Sequence, residues 1–193
     1  MQNKKPNLLL IKSTLITAYT IGCVGFLIPV LAPLFQVLTP IIILLTFALL
    51  LYYHPTWNKK HIVFLGIIFI MGFFVEMIGV QTGKIFGNYT YLDGLGIKIN
   101  GTPLIIGINW VLLTYCTGTI SQKISVHPFF QILIAAFAML LYDLILETVA
   151  PYMDMWNFKN GVVPFKNYLI WFILAFFFNA LLSIFTIIIK LFL

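Results

Sequence analysis

Residues 62–80 read IVFLGIIFIMGFFVEMIGV, with no lysine and a single acid, Glu76. A helix needs about 20 predominantly apolar residues to cross the hydrocarbon core of a bilayer. Further apolar segments lie on both sides of this one. The six segments are residues 15–31, 40–53, 62–80, 103–120, 129–149 and 168–193. This pattern predicts an all-α integral membrane bundle of about six transmembrane helices.

The composition agrees with a membrane location. Hydrophobic residues make up 62% of the chain and charged residues 8%, whereas soluble domains have about 25% charged residues. Six spans of about 20 residues, joined by short loops, leave no length for a soluble domain. We therefore expect a single membrane domain over residues 1–193.

All eleven basic residues are lysines. A chain without arginine lacks the bidentate guanidinium fork that recognises phosphate, so nucleic acid is not an expected partner. Lysines at helix ends instead favour the lipid bilayer and its cytoplasmic face. When the chain is followed through the six spans, seven lysines fall on one side of the membrane and four on the other. This bias predicts a multi-pass protein with both termini in the cytoplasm. We expect the membrane to be a bacterial inner membrane. The seven are Lys4, Lys5, Lys12, Lys59, Lys60, Lys123 and Lys190.

Three of the five acids, Glu76, Asp143 and Glu147, lie within predicted spans. A carboxyl at membrane depth costs roughly 2.5–3.5 kcal/mol, so such residues face the bundle interior and mark functional sites. At 1.5 Å of rise per residue, Glu76 lies about 6 Å below its helix end, and Asp143 and Asn109 lie about 9 Å below theirs. We therefore expect three helices to bring polar groups into one layer, with Asp143 and Glu147 on one helix face.

Metal and cofactor motifs are missing from the sequence. The three histidines, His54, His61 and His127, fall on the side predicted to be cytoplasmic, away from the acids. The chain also has no glycine-rich phosphate loop and no paired aspartate-rich motif for a magnesium diphosphate. We therefore expect neither a metal nor a cofactor, and a chemistry of proton donation by carboxyl groups in an apolar, aromatic-walled pocket.

The two longest connections, after the third and fifth segments, are predicted to form structured outer loops. Residues 86–100 alternate in side-chain character around Asp93-Gly94, which favours either a small hairpin there or an irregular loop at headgroup level. Pro103 precedes Trp110 by the same seven residues that separate Pro164 from Trp171. This spacing suggests an internal repeat of acid-bearing helix, aromatic loop, proline and tryptophan.

Two ordered sets of motifs carry a family resemblance. The first is EMIGVQTGKIFGNYTY at residues 76–91, followed by LG at 95–96, GTP at 101–103 and NW at 109–110. The second is DLILETVA at residues 143–150, followed by Trp156, GVVPFKNY at 161–168 and WF at 171–172. Over residues 72–180 the chain resembles the multi-pass carotenoid biosynthesis proteins that include carotenoid 1,2-hydratases, of the bisanhydrobacterioruberin or gamma-carotene hydratase type.

The resemblance implies hydration of the terminal C1=C2 double bond of an acyclic carotenoid end group to a tertiary alcohol, a hydro-lyase reaction. Protonating an alkene requires a neutral carboxylic acid, which an apolar environment favours. We assign Asp143 as the general acid, with Glu76 or Glu147 stabilising the cation and directing water. The residues assigned to substrate binding are Asn109 and Asn167, which would orient groups, and Trp110, Trp171, Tyr89 and Tyr91, which would line the pocket.

The same residues are compatible with other functions. A cyclase would use the same protonated alkene, and an elongase would act on the same end group, although the diphosphate motif is missing. Intramembrane acids also serve as proton relays, which makes a proton-coupled carrier the alternative from another class. A subunit that associates with other carotenoid enzymes is a further alternative.

Overall fold

A computed structural model describes residues 7–54 and 57–191, with side chains to residue 186. The prediction of an all-α bundle is confirmed, because six helices account for most of the described chain. They are α1 (Leu8–Phe26), α2 (Ala32–Tyr53), α3 (Lys59–Thr82), α4 (Ile105–Ile124), α5 (Pro128–Val149) and α6 (Phe165–Leu191).

Five of these helices are long and apolar enough to cross a membrane, and α4 is the exception. Helix α4 packs against α2, α3, α5 and α6, and nine of its 20 residues are buried. A helix enclosed by other helices meets protein rather than lipid, so its polar residues are tolerated. In contrast, α1 and α2 each bury one residue, Gly25 and Thr39, and lie at the periphery. The chain is a multi-pass membrane protein.

The first two helices differ from the predicted segments. Helix α1 starts at Leu8 because the side chain of Asn7 accepts a hydrogen bond from the Leu9 backbone N–H (3.0 Å), which caps the first turn. Helix α2 starts at Ala32, with Pro33 in its first turn, where a missing N–H leaves nothing unsatisfied. It then continues through Pro40, which the sequence analysis took as its beginning.

The outer loops are structured, but the hairpin predicted around Asp93-Gly94 is wrong. Residues Asp93–Leu95 form one 3-10 turn, and the Gly94 backbone N–H donates to the carbonyl of Asp154 in the other loop (2.7 Å). The hairpin lies further along, where β2 (Lys98–Ile99) pairs with β3 (Thr102–Pro103). Its turn is Asn100-Gly101, with positive φ angles of 49° and 80°, as a two-residue hairpin turn requires.

The two outer loops also pair with each other. Strand β1 (Tyr89–Tyr91) is antiparallel to β4 (Trp156–Phe158), with Tyr89 opposite Phe158 and Tyr91 opposite Trp156. This pairing brings the C-terminal ends of α3 and α5 and the N-terminal ends of α4 and α6 to one end of the bundle, here called the loop end. The aromatic side chains of both strands are buried and face the helices.

Candidate active site

Glu76 receives more hydrogen bonds than either of the other two intramembrane acids. It lies on α3, six residues before the helix ends and about 9 Å from that end, and it is 3% exposed. The hydroxyls of Tyr89 and Tyr91 donate to its Oε2 (2.6 and 2.9 Å). The indole Nε1–H of Trp110 donates to Oε1 (3.2 Å). Both oxygens are therefore hydrogen-bonded, by donors from β1 and α4.

Strand β1 supplies two of these donors as neutral phenols. Burial, followed by the nearby charge of Glu76, raises the pKa of Tyr89 and of Tyr91 well above the ordinary value of a tyrosine. Both hydroxyls therefore keep their protons and act as donors across the whole physiological pH range. The third donor is positioned by a close approach of helices, because a Cβ added at Gly72 would lie 2.6 Å from the Trp110 ring.

Asp143 and Glu147 form a second carboxyl group, one helical turn apart on α5. Asn167, near the start of α6, donates from one Nδ2 to Asp143 Oδ2 (3.1 Å) and to Glu147 Oε1 (3.0 Å). The Trp156 Nε1–H donates to Glu147 Oε2 (2.9 Å). Asp143 is fully buried, and its Oδ1 has no hydrogen-bond partner within residues 7–54 and 57–191. This pair therefore receives fewer hydrogen bonds for each carboxyl than Glu76 does.

None of these acids is paired with a cation in the described part of the chain. The ion pair found there joins Lys98 Nζ to Asp93 Oδ1 (2.8 Å) on the surface of the first loop. In the same residues, no three His, Cys, Asp or Glu side chains lie close enough to hold a metal ion. Since burying an unpaired carboxylate costs much free energy, the neutral acid is favoured wherever hydrogen-bond donors are few.

A cavity of about 20 Å³ lies beneath the paired strands, between the two sets of acids. This volume is enough for a water molecule. The indole rings of Trp110 and Trp171 stack along one wall, with centroids 4.3 Å apart and planes at 23°. The lining residues are Glu76, Glu147, Asn109, Asn167, Trp110, Trp171, Tyr89, Tyr91, Phe86, Ile106, Trp156 and Phe158.

Eight of the nine residues selected from the sequence therefore surround one cavity. The ninth, Asp143, does not line it and reaches it through Asn167. Four lining residues were not predicted from the sequence, and one of them, Trp156, donates a hydrogen bond to Glu147. The sequence contains a pattern that could have identified Trp156, since Trp156-Asn-Phe158 repeats the aromatic-x-aromatic pattern of Tyr89-Thr-Tyr91.

A comparison with protein families identifies the family of the chain. The sequence profile of the family described as carotenoid biosynthesis protein matches residues 35–189. This match includes most of α2 and both outer loops, and it extends beyond the resemblance over residues 72–180. No curated protein and no solved structure matches the chain significantly. Because the profile covers far more than half of the chain, this protein belongs to the carotenoid biosynthesis protein family.

Proposed function

We propose that this protein is a hydro-lyase that adds water to the terminal C1=C2 double bond of an acyclic carotenoid end group, giving a tertiary alcohol. The observation that carries the proposal is the layer of three buried carboxyls, without a described cationic partner, beside an aromatic-walled cavity of the size of a water molecule. Family membership supports a role in carotenoid biosynthesis, and we propose the hydration reaction itself.

The geometry favours Glu147, rather than Asp143, as the acid that protonates the alkene. Glu147 lines the cavity, whereas Asp143 lies one turn deeper behind Asn167. In the proposed reaction the Glu147 proton is transferred to C2, the π electrons form the new C–H bond, and C1 becomes a tertiary cation. Asp143 is then a positioning residue, which fixes the Asn167 amide that bridges the two carboxyls.

Glu76 is assigned the complementary role, because three donors stabilise its charged form. A carboxylate and the faces of Trp110 and Trp171 would stabilise a cation at C1. A water in the cavity attacks C1 and gives its extra proton to the Glu147 carboxylate, which restores the acid. The net reaction converts the alkene and one water molecule to the alcohol, and no other reactant is consumed.

The substrate would enter from the bilayer, and a carotenoid end group is much larger than the cavity, so the proposal requires the aromatic walls to open. We place the protein in a bacterial inner membrane with both termini in the cytoplasm and the loop end outside, in association with other carotenoid enzymes. Lys12, Lys59, Lys60 and Lys123 lie at the opposite end from the loops. Lys4 and Lys5, which contribute to the same charge bias, lie outside the described residues.

Expression in a lycopene-accumulating bacterium tests the proposal, with pigment masses as the readout. The protein should convert lycopene to products heavier by one or two waters, and Glu147→Gln should abolish this conversion. Asp93→Asn is the matched control, since this acid is on the surface and should leave conversion unchanged. Unchanged pigments, with the protein folded in the membrane, would contradict the proposal.

Cyclisation remains the second candidate, because the same buried acids would start it. Protonation at C2 gives the same tertiary cation, and exclusion of water decides whether the cation closes a ring. The water-sized cavity beside Glu76 favours hydration over cyclisation. A pigment of unchanged mass with one or two new rings would establish the cyclase.

A further inference from the structure

A second cavity, of about 10 Å³, lies between α4, α5 and α6 toward the end of the bundle opposite the loops. It begins within the last turn of α4 and the first turn of α5. Most of its lining is polar, and the cavity is half open toward this end of the bundle. The lining residues are Gly118, Ser121, Gln122, Gln131, Ile132, Asn179, Leu182 and Ser183.

Asn179 is the buried polar group of this cavity. It is 3% exposed, and its Nδ2 donates to the carbonyl of Ala175 (2.9 Å) and to the sulfur of Met139 (3.4 Å). Its Oδ1 has no partner among the described residues. A Cβ added at Gly118 would lie 3.1 Å from that oxygen, so the glycine leaves the space in front of it open. A buried amide oxygen without a hydrogen bond is costly, so a ligand that donates one is favoured.

The size of the cavity selects the ligand. A volume of about 10 Å³ is close to the minimum that holds one water and is too small for a headgroup or a substrate. A bound water also needs two to four polar partners. Asn179 Oδ1 accepts one hydrogen bond, and Ser183 and Gln122 supply further polar groups. The Ser121 hydroxyl and the Gln131 Nε2 already donate to backbone carbonyls, which leaves the oxygens of these two side chains as acceptors.

The position of the cavity links it to the buried acids. Met139 is eight residues, or about 12 Å, along α5 from Gln131, and Asp143 is one further turn away. The Met139–Ala175 layer, in which both residues are completely buried, therefore separates Asn179 from Asp143. At the loop end of the bundle, the side chains of Phe86 and of Phe158 in β4 are buried.

We propose that the Asn179 cavity binds water and passes it, through movement of Met139, to the carboxyl layer. Its role as the water supply rests on the proposed hydratase function, whereas water binding itself does not. Two further buried polar atoms have no described partner, Asp143 Oδ1 on α5 and Thr114 Oγ1 on α4, and both helices line the cavity. Water that moves along this path would give each of them a hydrogen bond.

Radiolytic footprinting of the protein in membranes tests the water site without reference to activity. Hydroxyl radicals formed from bound water oxidise the nearest methionine, so Met139 should become a sulfoxide although it is completely buried. Asn179→Leu and Gly118→Ala both fill the cavity, and each should lower this oxidation at least about fivefold. Thr186→Val is the matched control on α6, because this hydroxyl donates to its own helix (2.8 Å). Met71, which is exposed on the helix surface, gives the reference rate.

The outcomes separate the water site from the proposed function. Oxidation of Met139 that falls in both cavity variants, with a roughly tenfold fall in hydrated carotenoid, supports the whole inference. A Met139 that stays unoxidised, or is oxidised equally in every variant, overturns the water site even if the protein is a hydratase. Cavity-dependent oxidation in a protein that makes no hydrated carotenoid leaves the water site standing and overturns its role as a supply for hydration.

Discussion

The two halves of the candidate site are built alike but supported differently. In the first half, Glu76 receives three hydrogen bonds and both of its oxygens are satisfied. In the second half, Glu147 receives two hydrogen bonds, from Asn167 and Trp156, whereas Asp143 receives one, and one oxygen of Asp143 has no described partner. Donors stabilise a carboxylate, and their scarcity in an apolar site favours the neutral acid. With three donors on one carboxyl against three shared by two, the first half is the one that we propose holds the charge, and the second half the reacting proton.

The likeness of the halves extends to their backbones. β1 pairs symmetrically with β4, and Trp110 stacks on Trp171. Asn-Gly pairs with positive φ angles occur in both loops, at residues 100–101 and 160–161. The internal repeat suggested by the proline and tryptophan spacing therefore has a structural counterpart around the cavity. The chemical difference between the halves lies in the side chains that contact each acid.

The largest effect should come from Glu147→Gln. A general acid contributes about 10²–10⁴ in rate, so hydration should fall at least about 10³-fold, with mass spectrometry of the pigments as the measurement. Glutamine keeps the size of the side chain and a carbonyl for the Trp156 N–H. Retention of more than a tenth of the activity would remove Glu147 from the acid role.

Glu76→Gln should have the next largest effect. It removes the charge opposite the developing cation, for which a loss of about 10²-fold is expected. Tyr89→Phe removes one of the three donors and should cost much less, about tenfold or below. Initial rates in membranes with a fixed amount of lycopene provide the measurement. Equal losses in the two variants would show that the hydrogen bond, rather than the charge, is what matters.

Asp143→Asn should have a moderate effect, about tenfold, because Asp143 acts by holding Asn167. Asn167→Asp and Asn167→Ala both break the bridge and give the reference for this indirect loss. The pigment assay compares them at equal protein abundance in the membrane. A loss as complete as that of Glu147→Gln would return the acid role to Asp143.

Trp156→Phe should cost about 1 kcal/mol, or roughly fivefold in rate, since it removes one hydrogen bond to Glu147 and keeps the aromatic wall. Phe158→Leu is the matched control on the same strand, because it removes an aromatic ring without touching a carboxyl. The pigment assay should show a smaller loss for the control. The opposite order would mean that the wall contributes more than the hydrogen bond.

The smallest effect should come from Lys98→Ala. The Asp93 side chain to which Lys98 pairs is 94% exposed, and exposed ion pairs contribute little. The lysine lowers the pKa of Asp93 through a hydrogen bond and charge, so any stability from the pair is lost as pH falls through that lowered value. Hydration near neutral pH should be unchanged. A tenfold loss would show that the first loop depends on this contact to hold β1 in place.

Much of the fold follows from local sequence, because the length of an apolar run is set by bilayer thickness. The helical rise gave the depth of Asp143 correctly, at about 9 Å. Glu76 lies about 9 Å rather than 6 Å from its helix end, and Asn109 about 6 Å rather than 9 Å, because α3 and α4 end and begin at other residues than the apolar segments. The pairing of β1 with β4 could not be predicted in this way. It joins strands more than 60 residues apart, and nothing in either loop specifies its partner. Asp93-Gly94 suggested a hairpin as one of two alternatives, whereas the turn lies at Asn100-Gly101, an equally good turn signal.

The carboxyl that faces the cavity could not be read from spacing either. Asp143 and Glu147 share a helix face, and their one-turn difference in depth becomes decisive only when Asn167 of another helix lies between Asp143 and the cavity. The sequence placed both acids on one face of α5. Tertiary packing then decides which of them can touch a ligand.

Deuterium incorporation tests the central claim, protonation of the alkene by a buried acid followed by capture of water. Membranes containing the protein are incubated with lycopene in D₂O, and the product is washed in H₂O before mass and magnetic resonance spectra are recorded. We expect a tertiary alcohol with one carbon-bound deuterium at C2 for each hydrated end, and no such product from Glu147→Gln membranes. An alcohol without deuterium at C2, or a deuterated pigment without added oxygen, would contradict it.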